Sequence, residues 1–495
     1  MEPTGEPAPP FGRGVVYTAK QSWKDLFIFK QRVEITNEFG ETTTEWAKPV
    51  PLRNPITLVA QLSIKDWLFF TVGFTAWAAD AFDFHSLAIQ QVKLAAYYGK
   101  TKTEISTAIT LTLLLRSVGA AMFGFAGDKW GRKWPMVFNM IVLGLLQIGT
   151  IYAVTFEQFL AVRAIFGLFM GGVYGNAIAM ALENSPSDAR GILSGLLQQG
   201  YCAGYVGAAA GNLGVGAAVE SWKLVFWISA GISIAVGLVR SVMPESRQFI
   251  EARAAKKAHT GQINSFWKET KSMLKLEWKM CIYVIILMAG FTYYAHAAQD
   301  TYTTFMLVEK ELGNTNASKA SIIMMSGGII GGATVGYISQ YFGRRRLIII
   351  AVALSMCIIP AWILPNAFVG VAISGFFMQF FVNGAFGIVP IHLNELSPPA
   401  FRSAFPGVTY QLGSLISAPA AQIVNAVAEK VSITSPSGKQ VNAYGPVMGV
   451  FTAIIAVILI ITAAFGPEKR GRMFELAQAA GVVIPTEGKD VSDLE

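Results

Sequence analysis

His296, Gln299, Asp300 and Thr304 stand at positions i, i+3, i+4 and i+8 of one apolar stretch. On a helix of 3.6 residues per turn they fit one face within an arc of about 140°. A histidine titrates near about 6.5 and a neighbouring carboxylate shifts it, so His296 and Asp300 can trade a proton near neutral pH. Gln299 and Thr304 add neutral groups that can orient a ligand. The other reading of the set is a structural hydrogen bond between this helix and a neighbour.

Arg116 lies in the run Leu-Leu-Leu-Arg116-Ser. A guanidinium in an apolar helix needs a partner, and a substrate carboxylate held by two parallel hydrogen bonds is a good one. An internal ion pair with Asp80 or Asp83 would also serve, and the two arrangements can alternate. Asp80 and Asp83 are three residues apart on one predicted helix face, with His85 close behind. They can relay protons or balance Arg116. Gln198, Gln199, Gln411 and Ser414 offer neutral donors to carboxylate or hydroxyl oxygens. Asn176, Asn383 and His392 are further polar residues in apolar stretches, where most such groups are hydrogen-bonded glue.

These groups need rigid elements to bring them together. The chain has 495 residues, of which 53% are hydrophobic and 14% charged, and its mean hydropathy is +0.46. Soluble domains carry about 25% charge, so the composition points to the bilayer. Apolar runs predict twelve spans, at 66–90, 105–127, 135–154, 157–182, 191–214, 222–243, 279–307, 319–341, 347–364, 368–393, 403–428 and 446–466. Runs of this length and uniformity make helices rather than a barrel. The expected fold class is an all-α membrane protein of two six-helix halves. Its expected parts are an N-terminal tail (1–65), a first bundle (66–243), a central loop (244–278), a second bundle (279–466) and a C-terminal tail (467–495). The tail that precedes the first run is polar, and Pro7, Pro9 and Pro10 discourage an early helix. The first run should act as an uncleaved anchor.

The net charge of +8 could suggest nucleic acid, but its placement argues against that partner. Lys129, Arg132 and Lys133 follow span 2, Arg190 follows span 4, Arg344, Arg345 and Arg346 follow span 8, and Arg402 follows span 10. These loops share one side, which the positive-inside rule makes cytoplasmic, with both tails. Lys93, Lys100 and Lys102 fall on the other side against the trend. The sequon at Asn316 falls on that outer side. Cys202, Cys281 and Cys357 offer neither a disulfide framework nor metal spacing.

The two halves repeat at an offset of 212 residues. Gly124 meets Gly336, Gly131 meets Gly343, Arg132 meets Arg344, Glu183 meets Glu395, Arg190 meets Arg402 and Gln199 meets Gln411. Parallel repeats of this kind describe a transporter whose site lies between two rocking halves. Arg116 stands opposite Gly328 and His296 opposite Phe84, so the ionisable groups break the repeat. Glycines Gly167, Gly171, Gly172 and Gly175, and Gly200, Gly204, Gly207 and Gly211, read as close-packing faces.

The loop Gly124-Phe-Ala-Gly-Asp128-Lys-Trp-Gly131-Arg132-Lys133 resembles the signature loop of the major facilitator superfamily, and its degenerate copy starts at Gly336. Arg163, Glu183, Arg190 and the segment Pro244-Glu245-Ser246 also look like that superfamily. The resemblance implies a conformational latch built from Asp128, Arg132, Arg163, Glu183, Arg190, Arg344, Glu395 and Arg402. The plainer reading is that these charges only fix topology. The segment Thr292-Tyr-Tyr-Ala295-His296-Ala-Ala298-Gln299-Asp300-Thr-Tyr-Thr-Thr304 is similar to the motif of fungal lactate/pyruvate permeases, which are proton symporters. Thr292, Ala295 and Ala298 depart from that motif, which usually has Asn and two hydroxyl residues there.

The resemblance and the residues together predict a proton-coupled plasma-membrane importer of short monocarboxylates. Arg116 would hold the carboxylate, His296 and Asp300 would couple the proton with Asp80 and Asp83, and Gln198, Gln199, Gln299, Thr304, Gln411 and Ser414 would complete the site. A dicarboxylate or acidic-sugar symporter, or a receptor that binds without transporting, are the alternatives. No cofactor, metal or enzymatic activity is expected, because no nucleotide loop, zinc spacing or nucleophile set is present. A monomer in the lipid bilayer is expected.

Overall fold

The computed structural model describes residues 3–8, 19–28, 30, 32–36, 42–47, 53–100, 102–183, 185–186, 188–215, 218–246, 249–250, 266–398 and 401–470. The expected C-terminal tail beyond 470 and the stretch 251–265 of the central loop lie outside the described residues. Twelve helical spans form the body. They run Ile64–Ile89, Lys102–Trp130, Lys133–Ile151, Phe156–Glu183, Arg190–Gly214 and Trp222–Val242 in the first half. The second half has Phe266–Gln299, Gly313–Phe342, Arg344–Ile363, Phe368–Leu396, Ala404–Ala428 and Tyr444–Phe465. They are called spans 1 to 12. Nine of them, among the described residues, are long and apolar enough to cross a membrane. Spans 1, 5 and 11 are the other three, and they carry Asp80, Gln198 and Ser414. Local sequence sets several ends. Ser63 and Asp66 form a capping box at span 1, and Thr155 and Gln158 form one at span 4.

Spans 4, 5, 10 and 11 are each broken, at Gly171–Gly172, Gln199, Ile388 and Ala418–Pro419. Span 7 departs most from expectation. Its helix starts at Phe266, inside the expected central loop, kinks at Glu277 (φ −108°) and ends at Gln299. A turn at Asp300–Thr301 and a short helix, Tyr302–Thr304, follow. The amino-terminal segment is not featureless. Strands Pro3–Pro7, Thr42–Ala47 and Arg32–Thr36 make a small antiparallel sheet, and a helix spans Ala19–Asp25. A second strand pair, Ser432–Thr434 with Gln440–Asn442, lies between spans 11 and 12.

The sequence repeat is a structural one. Gly131 and Gly343 both turn the chain with positive φ, 101° and 103°, a conformation glycine adopts without strain. Arg132 pairs with Glu183 at 2.8 Å, and Arg344 pairs with Glu395 at 3.0 Å. Within the first half, glycines bring spans 2 and 4 into backbone contact. A Cβ on Gly119 would stand 1.6 Å from the Leu168 carbonyl oxygen, and one on Gly171 1.9 Å from that of Arg116. Overpacking costs about 1–3 kcal/mol or more. Gly119→Ala is therefore expected to lower the melting temperature in detergent. Gly231→Ala, whose Cβ meets nothing within 4 Å, should leave it unchanged.

The halves meet closely on the face that carries the start of span 1 and the end of span 12, here the terminal face. A Cβ on Gly195 (span 5) would stand 2.2 Å from the Gly332 oxygen (span 8), and one on Gly124 (span 2) 2.6 Å from the Ala404 Cα (span 11). Arg53, ahead of span 1, adds a brace. Its guanidinium pairs with Asp188 at 2.5 Å, beside span 5, while its backbone bonds the hydroxyls of Tyr337 and Tyr341 on span 8. Arg345 and Arg346 donate to the carbonyls of Ser22 and Leu26 at the end of the amino-terminal helix. This favours the negative end of that helix.

Candidate functional site

A cavity of about 50 Å³ lies between the halves. Its wall draws Asp80 from span 1, Arg116 from span 2, Gln198 from span 5, His296 and Gln299 from span 7, and Ser414 from span 11. Six sequence-predicted residues thus meet at one place. The Arg116 Nη2 bonds the Asp80 Oδ2 at 2.7 Å, and both side chains are buried. The Arg116 Nε and the Asp80 Oδ1 are buried with no hydrogen-bond partner. An incomplete buried pair of this kind is costly, and Arg116 and Asp80 both line the cavity. His296 Nδ1 lies 2.8 Å from Asp300 Oδ2. Gln299 donates to the Tyr201 hydroxyl across the halves at 3.2 Å, and its own Oε1 has no partner.

Other expected members fall elsewhere. Asp83 does not share the setting of Asp80. It accepts from Gln147 Nε2 at 2.6 Å in the core of the first half, because three residues turn it away from span 2. Thr304 leaves the predicted arc, since the turn at Asp300–Thr301 ends the helix that would have aligned it. Gln199 sits in the break of span 5, and its Nε2 donates to the Asn383 carbonyl at 3.2 Å instead of lining the cavity. Gln411 also points away from the wall. Its backbone oxygen accepts from Ser117 Oγ at 3.2 Å, and its Nε2 is buried without a partner. His85 is enclosed by the rings of Tyr201 and Tyr205, both 4.9 Å away. Asn383 lines the cavity, whereas Asn176 accepts from Ser403 Oγ across the halves at 2.9 Å. His392 is buried at the end of span 10, with neither ring nitrogen hydrogen-bonded.

The residues expected to form a latch gather on the terminal face, with one exception. Asp128 accepts from the backbone N–H groups of Ser403 (3.0 Å) and Ala404 (2.9 Å), so a carboxylate of the first half caps span 11 of the second. Arg132 lies 3.6 Å from Asp128 and bridges it to Glu183. Arg190 donates to the Ser185 carbonyl at 3.1 Å, and Arg402 is buried just before span 11. In the second half Arg344 reaches both Glu395 and Gln340. Arg163 is the exception. It stands twenty residues before Glu183 on span 4, about 30 Å away at 1.5 Å per residue. It bonds Gln147 at 3.1 Å in the core of the first half, over the Phe166 ring.

Three polar rings of the cavity wall, Trp77, Tyr201 and Tyr410, were not singled out by sequence. Each hides among many apolar aromatics. The available signal was spacing, because Trp77 precedes Asp80 by three residues, Tyr201 follows Gln198 by three and Tyr410 precedes Ser414 by four.

Residues 68–421 match the Major Facilitator Superfamily. The chain belongs to that superfamily. It is a membrane transporter and not an enzyme. A carboxylic acid transporter protein homolog of Saccharomyces cerevisiae is 31% identical over 436 residues, covering 84% of this chain and 70% of that protein. The sialic acid transporter NanX of Escherichia coli is 24% identical over 414 residues, covering 82% and 96%. Among solved structures, the proton:xylose symporter XylE bound to 6-bromo-6-deoxy-D-glucose superposes with a TM-score of 0.64 at 15% identity, covering 83% of this chain and 98% of that one. That likeness establishes the twelve-helix fold.

Proposed function

We propose that this superfamily member imports short monocarboxylates such as lactate and pyruvate with a proton, across the plasma membrane, with its terminal face in the cytoplasm. The observation that carries the reading is Arg116, the one guanidinium on the cavity wall among the described residues, with Nε unsatisfied. A carboxylate is the ligand that fills its fork. The volume supports a small acid. About 50 Å³ compares with roughly 10–15 Å³ for one water, so a handful of heavy atoms fits. The yeast relative is described as a carboxylic acid transporter homolog, and the basic loops of the terminal face favour its cytoplasmic placement.

Charge balance supports the proton. With substrate bound, two carboxylates face one guanidinium, and a buried net negative charge is disfavoured. A proton on Asp80, or on the His296–Asp300 pair beside the cavity, removes the excess. Binding shifts a transporter only through differential affinity for its states, so proton and acid together can favour a closed form that neither favours alone. A dicarboxylate would need a second cation. The other basic group on the wall, His296, is already tied to Asp300.

Labelled lactate uptake into vesicles should rise at least severalfold when the outside is made acid. In His296→Gln or Asp300→Asn the response to the gradient should shrink, while exchange of lactate at equal pH persists. Uptake indifferent to an imposed gradient in the wild type would rule out symport. Strong competition by succinate would move the substrate class to dicarboxylates.

A further inference from the structure

Three rings close the terminal side of the cavity, and they come from both halves. Tyr410 of span 11 and Tyr174 of span 4 have ring centroids 3.9 Å apart. Trp77 of span 1 lies 4.7 Å from Tyr174 and meets Tyr410 edge-on at 5.8 Å. Their depth follows from the chain. Tyr410 lies between Ala404, which Asp128 caps, and Ser414 on the cavity wall. Trp77 lies one turn closer than Asp80 to the start of span 1. Tyr174 sits behind both and is 1% exposed. The halves cannot part on this face while the Tyr174–Tyr410 contact holds.

Gln198 joins this cluster to the cavity. It lines the wall. Its Oε1 accepts from the Tyr174 hydroxyl at 3.1 Å, and its backbone carbonyl accepts from Trp77 Nε1 at 3.4 Å. With Oε1 engaged by Tyr174, the amide nitrogen is the donor, and it faces the Tyr410 hydroxyl, so Gln198 touches both rings of the pair that spans the halves. Gln198 also ends the first segment of span 5, beside the break at Gln199.

We infer that Trp77, Tyr174 and Tyr410 form the inner gate of the transport path, and that Gln198 is the positioning residue that reports substrate to it. The reporting role rests on the carboxylate reading above. A carboxylate drawn to Arg116 accepts from the Gln198 amide in place of Tyr410 and pulls its side chain away from both tyrosines. The ring pair that spans the halves then loses its support, and the terminal face can open.

The test uses the full chain with Cys202, Cys281 and Cys357 replaced and one new thiol on the wall, Ala295→Cys. Inside-out vesicles are treated with a membrane-impermeant methanethiosulfonate, with and without lactate. Lactate should speed labelling of the parent at least fivefold. Tyr410→Ala should raise the rate without lactate at least tenfold, whereas Tyr410→Phe should not. Tyr174→Phe keeps the ring and loses the hydroxyl, so its basal rate should stay low while the lactate response falls. Should Tyr410→Ala not reach the membrane, Tyr410→Leu is measured in its place, since it keeps apolar volume without a ring.

Equal basal rates in the ring-removing and ring-keeping variants would overturn the gate. A full lactate response in Tyr174→Phe would overturn the role of Gln198. If no short carboxylate changes the parent rate while loss of the Tyr410 ring still does, the carboxylate reading falls and takes the reporting role with it, and the gate stands.

Discussion

Arg116→Ala is expected to reduce lactate accumulation at least a hundredfold at normal surface expression. Truncating one partner of a buried charge-assisted pair costs about 2–5 kcal/mol, and each 1.4 kcal/mol is about tenfold. Here two partners are lost, the substrate in one state and Asp80 in the other. Arg116→Lys should recover little, because an ammonium lacks the planar fork that a carboxylate fills. The single variant also leaves Asp80 buried without its cation, which threatens folding. The double variant Asp80→Asn/Arg116→Gln removes both charges together and should be stable yet inactive. Tracer uptake with surface biotinylation separates the two effects. Near-normal uptake in the double variant would remove Arg116 from the site.

Asp128→Asn is expected to raise labelling of the Ala295→Cys thiol from the terminal face at least tenfold. Asp128 accepts two backbone N–H groups of span 11 across the interface, at 3.0 and 2.9 Å. Hydrogen bonds to a charged group contribute about 1.5–3 kcal/mol, and a charge at a helix N-terminus adds about 0.3–1 kcal/mol. Asparagine keeps the shape and one acceptor but loses the charge. Arg132 retains Glu183 at 2.8 Å, so the loop itself stays in place. Maximal uptake should fall while apparent affinity for lactate changes little, because the cavity is untouched. An unchanged labelling rate would mean that the loop fixes topology alone.

Much of this was legible in the sequence. Apolar run length fixes the spans, and the 212-residue repeat foreshadows the paired bridges Arg132–Glu183 and Arg344–Glu395. Arg116, His296 and Asp80 could be found because burying charge in lipid is costly, so each stands out against its neighbours. What periodicity could not supply is where a helix stops. It extends Thr304 and Gln199 along ideal helices, whereas spans 7 and 5 break beside those residues, and it does not tell that Gln411 and Ser414 of one unbroken segment face different neighbours. The Asp80–Asp83 pair shows the limit of face arguments. Three residues are close enough to share a stripe, yet the two carboxylates serve different neighbours, Arg116 and Gln147. Trp77, Tyr201 and Tyr410 of the cavity wall were hidden for the opposite reason, since an aromatic in an apolar helix looks like ordinary filling until its partners are known.

The terminal face carries an asymmetry that the repeat conceals. Where the first half places the carboxylate of Asp128, the second places Gln340, which is engaged by Arg344 in its own half. The matching tie across spans 5 and 8 comes from Arg53, which precedes the first span and holds Asp188 on one side and Tyr337 and Tyr341 on the other. A doubled gene supplies two copies of every helix, but a leading segment belongs to one copy only. The two seams of this protein therefore rest on different parts of the chain. One can be tuned within the repeated unit, and the other by lengthening, trimming or covering the segment that precedes span 1.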